Sequence, residues 1–187
     1  MLSRLFRRGE NRTRAHTLYA AAVAQARLPV FYQAGQVPDT LDGRFEMVAL
    51  HGFLVLHRLK RTPAPGPAIA QAFFDTMFGD MDRSLREMGV GDLGVGRRVK
   101  AMAKGFYGRI AAYEAGLAAA DDSALSDALR RNVYGTVRDE GAVAADTLAA
   151  LARYVRLAAA DLAGQATGEI LAGRVRFPAP DAVFGRH

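Results

Sequence analysis

One stretch of the sequence, residues 43–61, is apolar on nearly every side when it is read as a helix. Its large apolar side chains are Phe45, Met47, Val48, Leu50, Phe53, Leu54, Val55, Leu56 and Leu59. A helix without a wide polar face has to be covered by the rest of its domain. It is too short to span a bilayer, which takes roughly 20 apolar residues, and it contains Glu46 and Arg58. The stretch therefore predicts a buried central helix.

The rest of the chain predicts further helices and no sheet. Apolar side chains recur every three or four residues in five more segments, at 13–27, 68–78, 95–119, 124–134 and 142–163. Residues 29–42 read as a structured loop, 80–88 as a polar helical turn and 167–171 as a short turn. No stretch alternates in period two, the pattern typical of strands. We expect an all-α fold, a single domain of about six to seven helices with an extended C-terminal tail.

Two basic or proline-containing tails flank the predicted helical domain, which we place at residues 13–172. The N-terminal tail, 1–12, carries arginines interleaved with Leu2, Leu5 and Phe6, and the C-terminal tail covers 173–187. Basic side chains beside apolar ones are the pattern of a weak anchor on an anionic membrane surface. We favour the simpler interpretation, a frayed and solvated terminus.

Composition limits the kinds of chemistry available. The 187 residues contain no cysteine, which excludes disulfides, thiolate catalysis and Cys-ligated zinc. The net charge of +6 comes mostly from arginine and suits an anionic partner such as lipid, RNA or an acidic protein. An arginine-rich, lysine-poor composition typical of GC-rich genomes explains the charge equally well. No apolar segment of a secretory signal precedes the helices, so we expect a cytoplasmic protein.

Two short motifs imitate known sites and fail. Gly89, Gly91 and Gly94 form a literal G-x-G-x-x-G, but a helical turn rather than a strand precedes them. A dinucleotide site requires that strand. Asp80 and Asp82 resemble the start of a calcium-binding EF-hand loop, yet the positions of its turn glycine and bidentate glutamate hold other residues. We therefore expect neither a nucleotide cofactor nor a metal.

The remaining candidates for chemistry are histidines and carboxylates. The four histidines form no metal-ligand spacing, and His51 lies in the central apolar helix, where a hydrogen-bonded core histidine is commoner than a metal or haem ligand. The carboxylates between Asp75 and Asp92 offer pairs for acid–base work. Because Arg83 and Arg86 are interleaved with them, an ion-pair network on a surface or interface is the alternative. No nucleophile motif accompanies them, so we read the chain as a binding protein and not an enzyme.

Two long sequence blocks resemble a known family. The first runs RLPVFY at residues 27–32 and VPDTLDGRFEM at 37–47, followed by Leu50 and His51. The second runs FDTMFGDMDRSLREMGVGDL at 74–93 and continues to FYGR at 106–109. Together they are similar to the ubiquinol–cytochrome c chaperone family, over roughly residues 19–117. The C-terminal third matches it only in helical character.

The resemblance implies an all-α assembly chaperone of the cytochrome bc1 complex that binds newly made cytochrome b. Mitochondrial members act with a small partner protein near the ribosomal tunnel exit, so the resemblance implies those kinds of partner. A chain without a long targeting region is expected to be a bacterial member. It would work in the cytoplasm or peripherally at the cytoplasmic face of the inner membrane, in contact with its anionic surface.

We predict two groups of binding residues and keep two other functions open. The polar recognition set for client or partner comprises Arg44, Glu46, His51, Asp75, Asp82, Arg86, Glu87 and Asp92. A basic face comprises Arg97, Lys100 and Lys104. The charge alone also suits a helical nucleic-acid or ribosome-binding protein without a respiratory client, and an enzyme built on the carboxylates of 80–92 is a third hypothesis.

Overall fold

The computed structural model of the protein describes residues 2–89, 91–137 and 143–185. Within those ranges the chain forms helices and no strand, which confirms the predicted all-α fold as a single helical domain. The nine helices of the described ranges are α1 (Leu2–Ala26), α2 (Pro29–Gln33), α3 (Leu41–Lys60), α4 (Gly66–Glu87), α5 (Asp92–Ala118), α6 (Ser123–Val133), α7 (Ala145–Gly164), α8 (Thr167–Leu171) and α9 (Asp181–Phe184).

The long helices lie where the apolar periodicity placed them, with three differences. α4 is continuous through the segment that we predicted as a separate polar turn. The predicted loop after α1 begins with the short helix α2, whose Phe31 is buried. α1 begins at Leu2 rather than at residue 13. Arginine and leucine favour helix, and extending a helix that the core already anchors needs no new nucleus.

The central position predicted for the apolar helix is confirmed, because α3 packs against α1, α4, α5, α6 and α7. Its start is fixed by Thr40, whose side chain accepts a hydrogen bond from the Gly43 backbone N–H at 3.2 Å. The cap satisfies a backbone donor that has no partner within the helix.

The side chains of two arginines, one buried and one half-buried, close the ends of two helices. The Arg58 guanidinium donates to the carbonyl oxygens of Leu162 at 2.8 Å and Gln165 at 3.0 Å, at the end of α7. Arg156 donates in the same way to Gly116 near the end of α5, at 3.0 Å. The last carbonyls of a helix lack partners within it and carry partial negative charge, so a cation suits both positions.

His51 belongs to a chain of hydrogen bonds inside the core, and its side chain is 0% exposed. Its Nδ1 lies 2.8 Å from the carbonyl oxygen of Met47, which can only accept, so Nδ1 carries the proton. Its Nε2 therefore accepts from the Tyr154 hydroxyl, at 2.9 Å. Gln25 donates to that hydroxyl oxygen and to the Pro178 carbonyl, both at 3.0 Å. The expected hydrogen-bonded core histidine is thus found.

The C-terminal tail covers this side of α3. Its first part is extended, as predicted, and it ends in α9. The Phe177 ring lies 5.3 Å from the His51 ring between centroids, and Phe184 lies 5.9 Å from Phe31. Burial lowers the pKa of His51 to about 4, so the imidazole is neutral at ordinary pH.

Candidate functional site

A broad groove opens on the other side of α3. Its volume is about 1240 Å³, and α1, α3, α4, α5 and the end of α6 contribute to its walls. Pockets for small molecules usually measure roughly 300–1,000 Å³. The size and the open shape therefore suit a segment of polypeptide better than a compact metabolite.

The floor of this groove is apolar and rich in methionine. The apolar lining includes Val23, Phe45, Val48, Met81, Leu85, Met88 and Met102. Met88 lies at the rim with 49% of its surface exposed, and Leu41, which also lines the groove, is exposed too. Methionine is unbranched and polarisable, so its side chain adapts to differently shaped partners. Such a surface suits the helix-in-groove mode of recognition.

A bidentate ion pair forms one polar wall. Arg109 Nε on α5 donates to Glu46 Oε2 on α3 at 2.7 Å, and a second guanidinium nitrogen donates to Glu46 Oε1. Burial raises the pKa of Glu46, and the hydrogen bonds from Arg109 oppose that shift. Arg109 also lies over the Phe45 ring, 5.7 Å from its centroid. The pair is satisfied within the protein, so neither of these two charges is left without a partner.

A hydrogen bond between two groove-lining residues joins α1 to α4. The Tyr19 hydroxyl donates to Asp80 Oδ2 at 2.9 Å. Burial and the neighbouring carboxylate raise the pKa of Tyr19 above its ordinary value. The hydroxyl therefore stays protonated and remains a donor, which fixes the spacing of the two helices beside the groove.

The predicted ion-pair network exists at the corner between α4 and α5. Arg86 Nε donates to Asp82 Oδ2 at 2.6 Å, and another nitrogen of the same guanidinium contacts Asp92. These hydrogen bonds raise the pKa of Arg86. Both Arg86 and Asp92 are exposed, and neither belongs to the groove lining. The network is a surface feature beside the groove.

The structure separates the predicted recognition set into three places. Arg44 and Glu46 line the groove, and Arg44 also pairs with Asp39 at its edge, Nε to Oδ1 at 2.6 Å. His51 is enclosed in the core on the far side of α3. The remaining members lie outside the groove lining on α4 or at the start of α5, and these are Asp75, Asp82, Arg86, Glu87 and Asp92. The whole set stays a prediction, although only its first part shares a cavity.

The predicted basic face is exposed along α5. Arg97, Lys100 and Lys104 are all solvent-exposed, and none of them lines the groove. Their neighbour Arg98 does. A role for this face in binding nucleic acid, lipid or protein stays a prediction.

Sequence reasoning missed the groove residues that come from distant parts of the chain. Arg109 was quoted only as part of the resemblance, and it lies 63 positions from its partner Glu46. Met81 and Met102 were not among the predicted site residues. The sequence offered one signal, a charged residue, Arg109, beside the apolar stripe of α5. That signal does not identify Glu46 as the partner of Arg109.

Other kinds of site find no support in the described ranges. Among residues 2–89, 91–137 and 143–185, no group of three or more His, Cys, Asp or Glu side chains is arranged to hold a metal ion. The glycine motif follows the helix α4, and its first glycine, Gly89, lies two residues past the last residue of α4, Glu87, with a φ of 82°. A nucleotide site requires a strand before this motif, whereas here a helix precedes it. None of the helices in these ranges is both long and apolar enough to cross a membrane.

A family model described as ubiquinol-cytochrome C chaperone matches residues 33–177. The match covers more than half of the chain and includes every helix from α3 to α8. It extends well past residue 117, so our expectation that the C-terminal third matches only in helical character was wrong.

Two vertebrate relatives are described as ubiquinol–cytochrome c reductase complex assembly factor 1. The Xenopus laevis protein is 26% identical over 123 residues, which are 66% of this chain and 61% of that protein. The Mus musculus protein is 27% identical over 117 residues, 63% of this chain and 39% of that protein. The chain thus matches less than two thirds of the length of either relative.

A solved structure is similar over nearly the whole chain. It is described as the crystal structure of the Cbp3 homolog from Brucella abortus, and it superposes with a TM-score of 0.82 at 39% identity. The match covers 98% of this chain and 99% of that chain. None of these matches is described as binding nucleic acid. On the family match and this agreement of sequence and fold, the chain belongs to the ubiquinol–cytochrome c chaperone family.

Proposed function

We propose that this protein is an assembly chaperone of ubiquinol–cytochrome c reductase, the cytochrome bc1 complex, and that its client is newly made cytochrome b. The family match and the names of the vertebrate relatives support a role in assembly. The observation that carries the proposal is the methionine-lined groove, whose walls from α3 to α6 lie within the matched segment.

The groove has the properties that a holder of unfinished membrane protein needs. Helices of such a client expose apolar surface that would otherwise aggregate. An open floor containing Met81, Met88 and Met102 accepts different apolar side chains without a fixed shape requirement. Glu46 and Arg109 remain paired with each other when the groove is empty, so neither charge depends on a bound client for its partner.

The role needs binding and release but no bond-making chemistry. A chaperone acts by lowering the concentration of exposed apolar client, which is a binding equilibrium. We therefore propose that the protein is not an enzyme. Assembly factors as a group are not an enzyme class, in agreement with that proposal.

The place of work and the further partners follow from the client. Cytochrome b is a membrane protein, so the chaperone would act peripherally at the cytoplasmic face of the inner membrane. The exposed basic face of Arg97, Lys100 and Lys104 offers a surface for a ribosome or for a small acidic partner protein.

A charge placed on the rim of the groove tests the proposal. Met88→Asp adds a carboxylate to an exposed apolar position, so the fold should persist while an apolar client is repelled. In cells lacking the gene, this variant should fail to restore cytochrome b content and bc1 activity, which the wild type restores. Haem difference spectra and quinol oxidation by membranes measure the two quantities.

The matched control is Leu157→Asp on α7, because Leu157 is 40% exposed and lies outside the groove. It makes the same chemical change on a comparable surface. We expect it to restore both quantities fully. Equal complementation by the two variants would show that the groove does not hold the client, and normal cytochrome b in the deletion strain would remove the assembly role altogether.

A further inference from the structure

The side chains described at the start of α1 lie outside the packed body of the protein. The side chains from Phe6 to Glu10 are exposed, and the first buried side chain described on this helix is Ala15. Phe6 has 71% of its surface exposed, more than any other large apolar side chain of the described residues. A single exposed apolar side chain is ordinary on a protein surface, so the meaning of this ring depends on the side chains beside it on the helix.

The helical register shows that the core cannot cover this ring. Ala15, Leu18, Ala22 and Ala26 form the buried stripe of α1. At 100° per residue, Phe6 lies roughly 165° around the helix from the middle of that stripe. The ring therefore faces away from the body that buries the rest of α1.

The start of α1 has the sequence pattern of an amphipathic helix whose polar side is positively charged. By register, Phe6, Gly9 and Thr13 follow one line, and the sequence has further leucines at helical spacing before Phe6. The arginines at positions 7, 8, 12 and 14 occupy the remaining surface. The acid of this segment, Glu10, already pairs with Arg14 at 3.2 Å. Apolar and basic sides on one helix are typical of segments that lie in a membrane interface.

We infer that residues 6–14 of α1 bind the surface of a bilayer that contains anionic lipid, with Phe6 inserted among the acyl chains near the headgroups. The arginines beside it then meet the lipid phosphates. Position 19, where α1 begins to line the groove, is roughly 20 Å farther along the helix at 1.5 Å per residue. A helix lying on the membrane would thus hold the groove close to where a membrane client is inserted.

This inference rests on the proposed function for its purpose, but its test contains no client, so either can fail alone. The chain contains no tryptophan, so Phe6→Trp introduces a single fluorescent reporter into the full-length protein. Vesicles of phosphatidylcholine with phosphatidylglycerol should shift its emission to shorter wavelength. Vesicles of phosphatidylcholine alone should not, and high salt should reverse the shift. Tyr107→Trp, at an exposed position on α5, is the control reporter and should not respond.

A pair of charge variants locates the binding surface. Changing Arg7, Arg8 and Arg12 to Gln should weaken binding to the anionic vesicles roughly 100-fold, at about fivefold per basic side chain. The matched variant changes Arg97, Lys100 and Lys104 to Gln, which removes the same charge from the basic face of α5. It should bind vesicles nearly as the wild type does, and circular dichroism checks that both variants are folded.

Three results would overturn the inference. One is an unshifted Phe6→Trp spectrum with anionic vesicles. Another is a larger loss of vesicle binding in the α5 variant than in the α1 variant. The third is a wild-type dimer that Phe6→Ser converts to monomer, because the apolar side would then belong to a second copy of the chain.

Discussion

The two sides of the central helix α3 each hold a polar side chain, but their surroundings differ. His51 is 0% exposed, and both of its ring nitrogens are hydrogen-bonded inside the core. Glu46 is 8% exposed, and its partner Arg109 lines an open groove. The tail covers the first side with Phe177, while nothing among the described residues covers the second. The closed side stabilises the fold, and the open side is the surface on which a partner has room to bind.

The largest expected effect lies on the closed side. Tyr154→Ala removes a fully buried ring that packs against Phe31 and bonds to His51 and Gln25. We expect a loss of about 4 kcal/mol in the free energy of unfolding, from the cavity and the lost hydrogen bonds. Urea denaturation measures it. Leu157→Ala on the same helix is the control and should cost well under about 1 kcal/mol, and similar losses in both would contradict the description of this side as closely packed.

The next effect concerns the ion pair of the open side. Arg109→Met leaves the Glu46 carboxylate nearly buried without its partner, which should cost about 3 kcal/mol. The double variant with Glu46→Leu removes the stranded charge and should recover more than half of that loss. Chemical denaturation of the two single variants and the double variant gives the coupling. If the two single losses simply add, the pair does not hold α3 and α5 together.

A smaller effect depends on pH and separates the two sides. The pKa of His51 is lowered to about 4, below the ordinary 6.5, so the unfolded chain binds the proton first on acidification. Stability from this group is therefore complete above about pH 6.5 and is lost as the pH falls toward 4. Between about pH 7 and pH 5 the wild type should lose about 2 kcal/mol more than His51→Gln.

Burial also lowers the pKa of His57, but that group is present in both proteins and cancels in the difference. Denaturation curves at the two pH values give the comparison. An equal pH dependence of the wild type and His51→Gln would show that the His51 side is open to water.

The smallest expected effect is at the exposed corner of α4 and α5. Arg86→Ala breaks contacts with Asp82 and Asp92, both of which water already screens. We expect no change in unfolding free energy beyond experimental error. The informative measurement is bc1 activity in cells carrying this variant. Reduced activity at unchanged stability would add the corner to the recognition surface, and normal activity would confine recognition to the groove.

The sequence predicted features that depend on neighbours within one helix. Residues 43–61 predicted the central helix correctly, because the period of apolar side chains acts over a few neighbouring positions. The same dependence on local neighbours explains why the start of α1 and the end of α4 were predicted wrongly. The arginine-rich segment before residue 13 lacks a core-facing stripe, and residues 80–88 read as polar, yet both continue helices that are anchored elsewhere.

The candidate site was only partly predictable, since its residues meet through packing. Glu46 and Arg44 were selected from a sequence block, but Arg109 joins Glu46 from 63 positions away. His51 stood in the same block as those two, and a turn and a half of helix carries it to the opposite, closed side. Register within α3 separates these residues, but only its neighbours decide which side is covered.

By itself, the sequence determined that this protein is helical and that α3 is central. These properties follow from side-chain chemistry and local spacing. The tertiary structure decided that one side of α3 is sealed by Tyr154 and the tail while the other opens as a methionine-lined groove. That outcome depends on contacts between α1 and α4 and between α3 and α5, and contacts between distant segments are not set by the periodicity of any one helix.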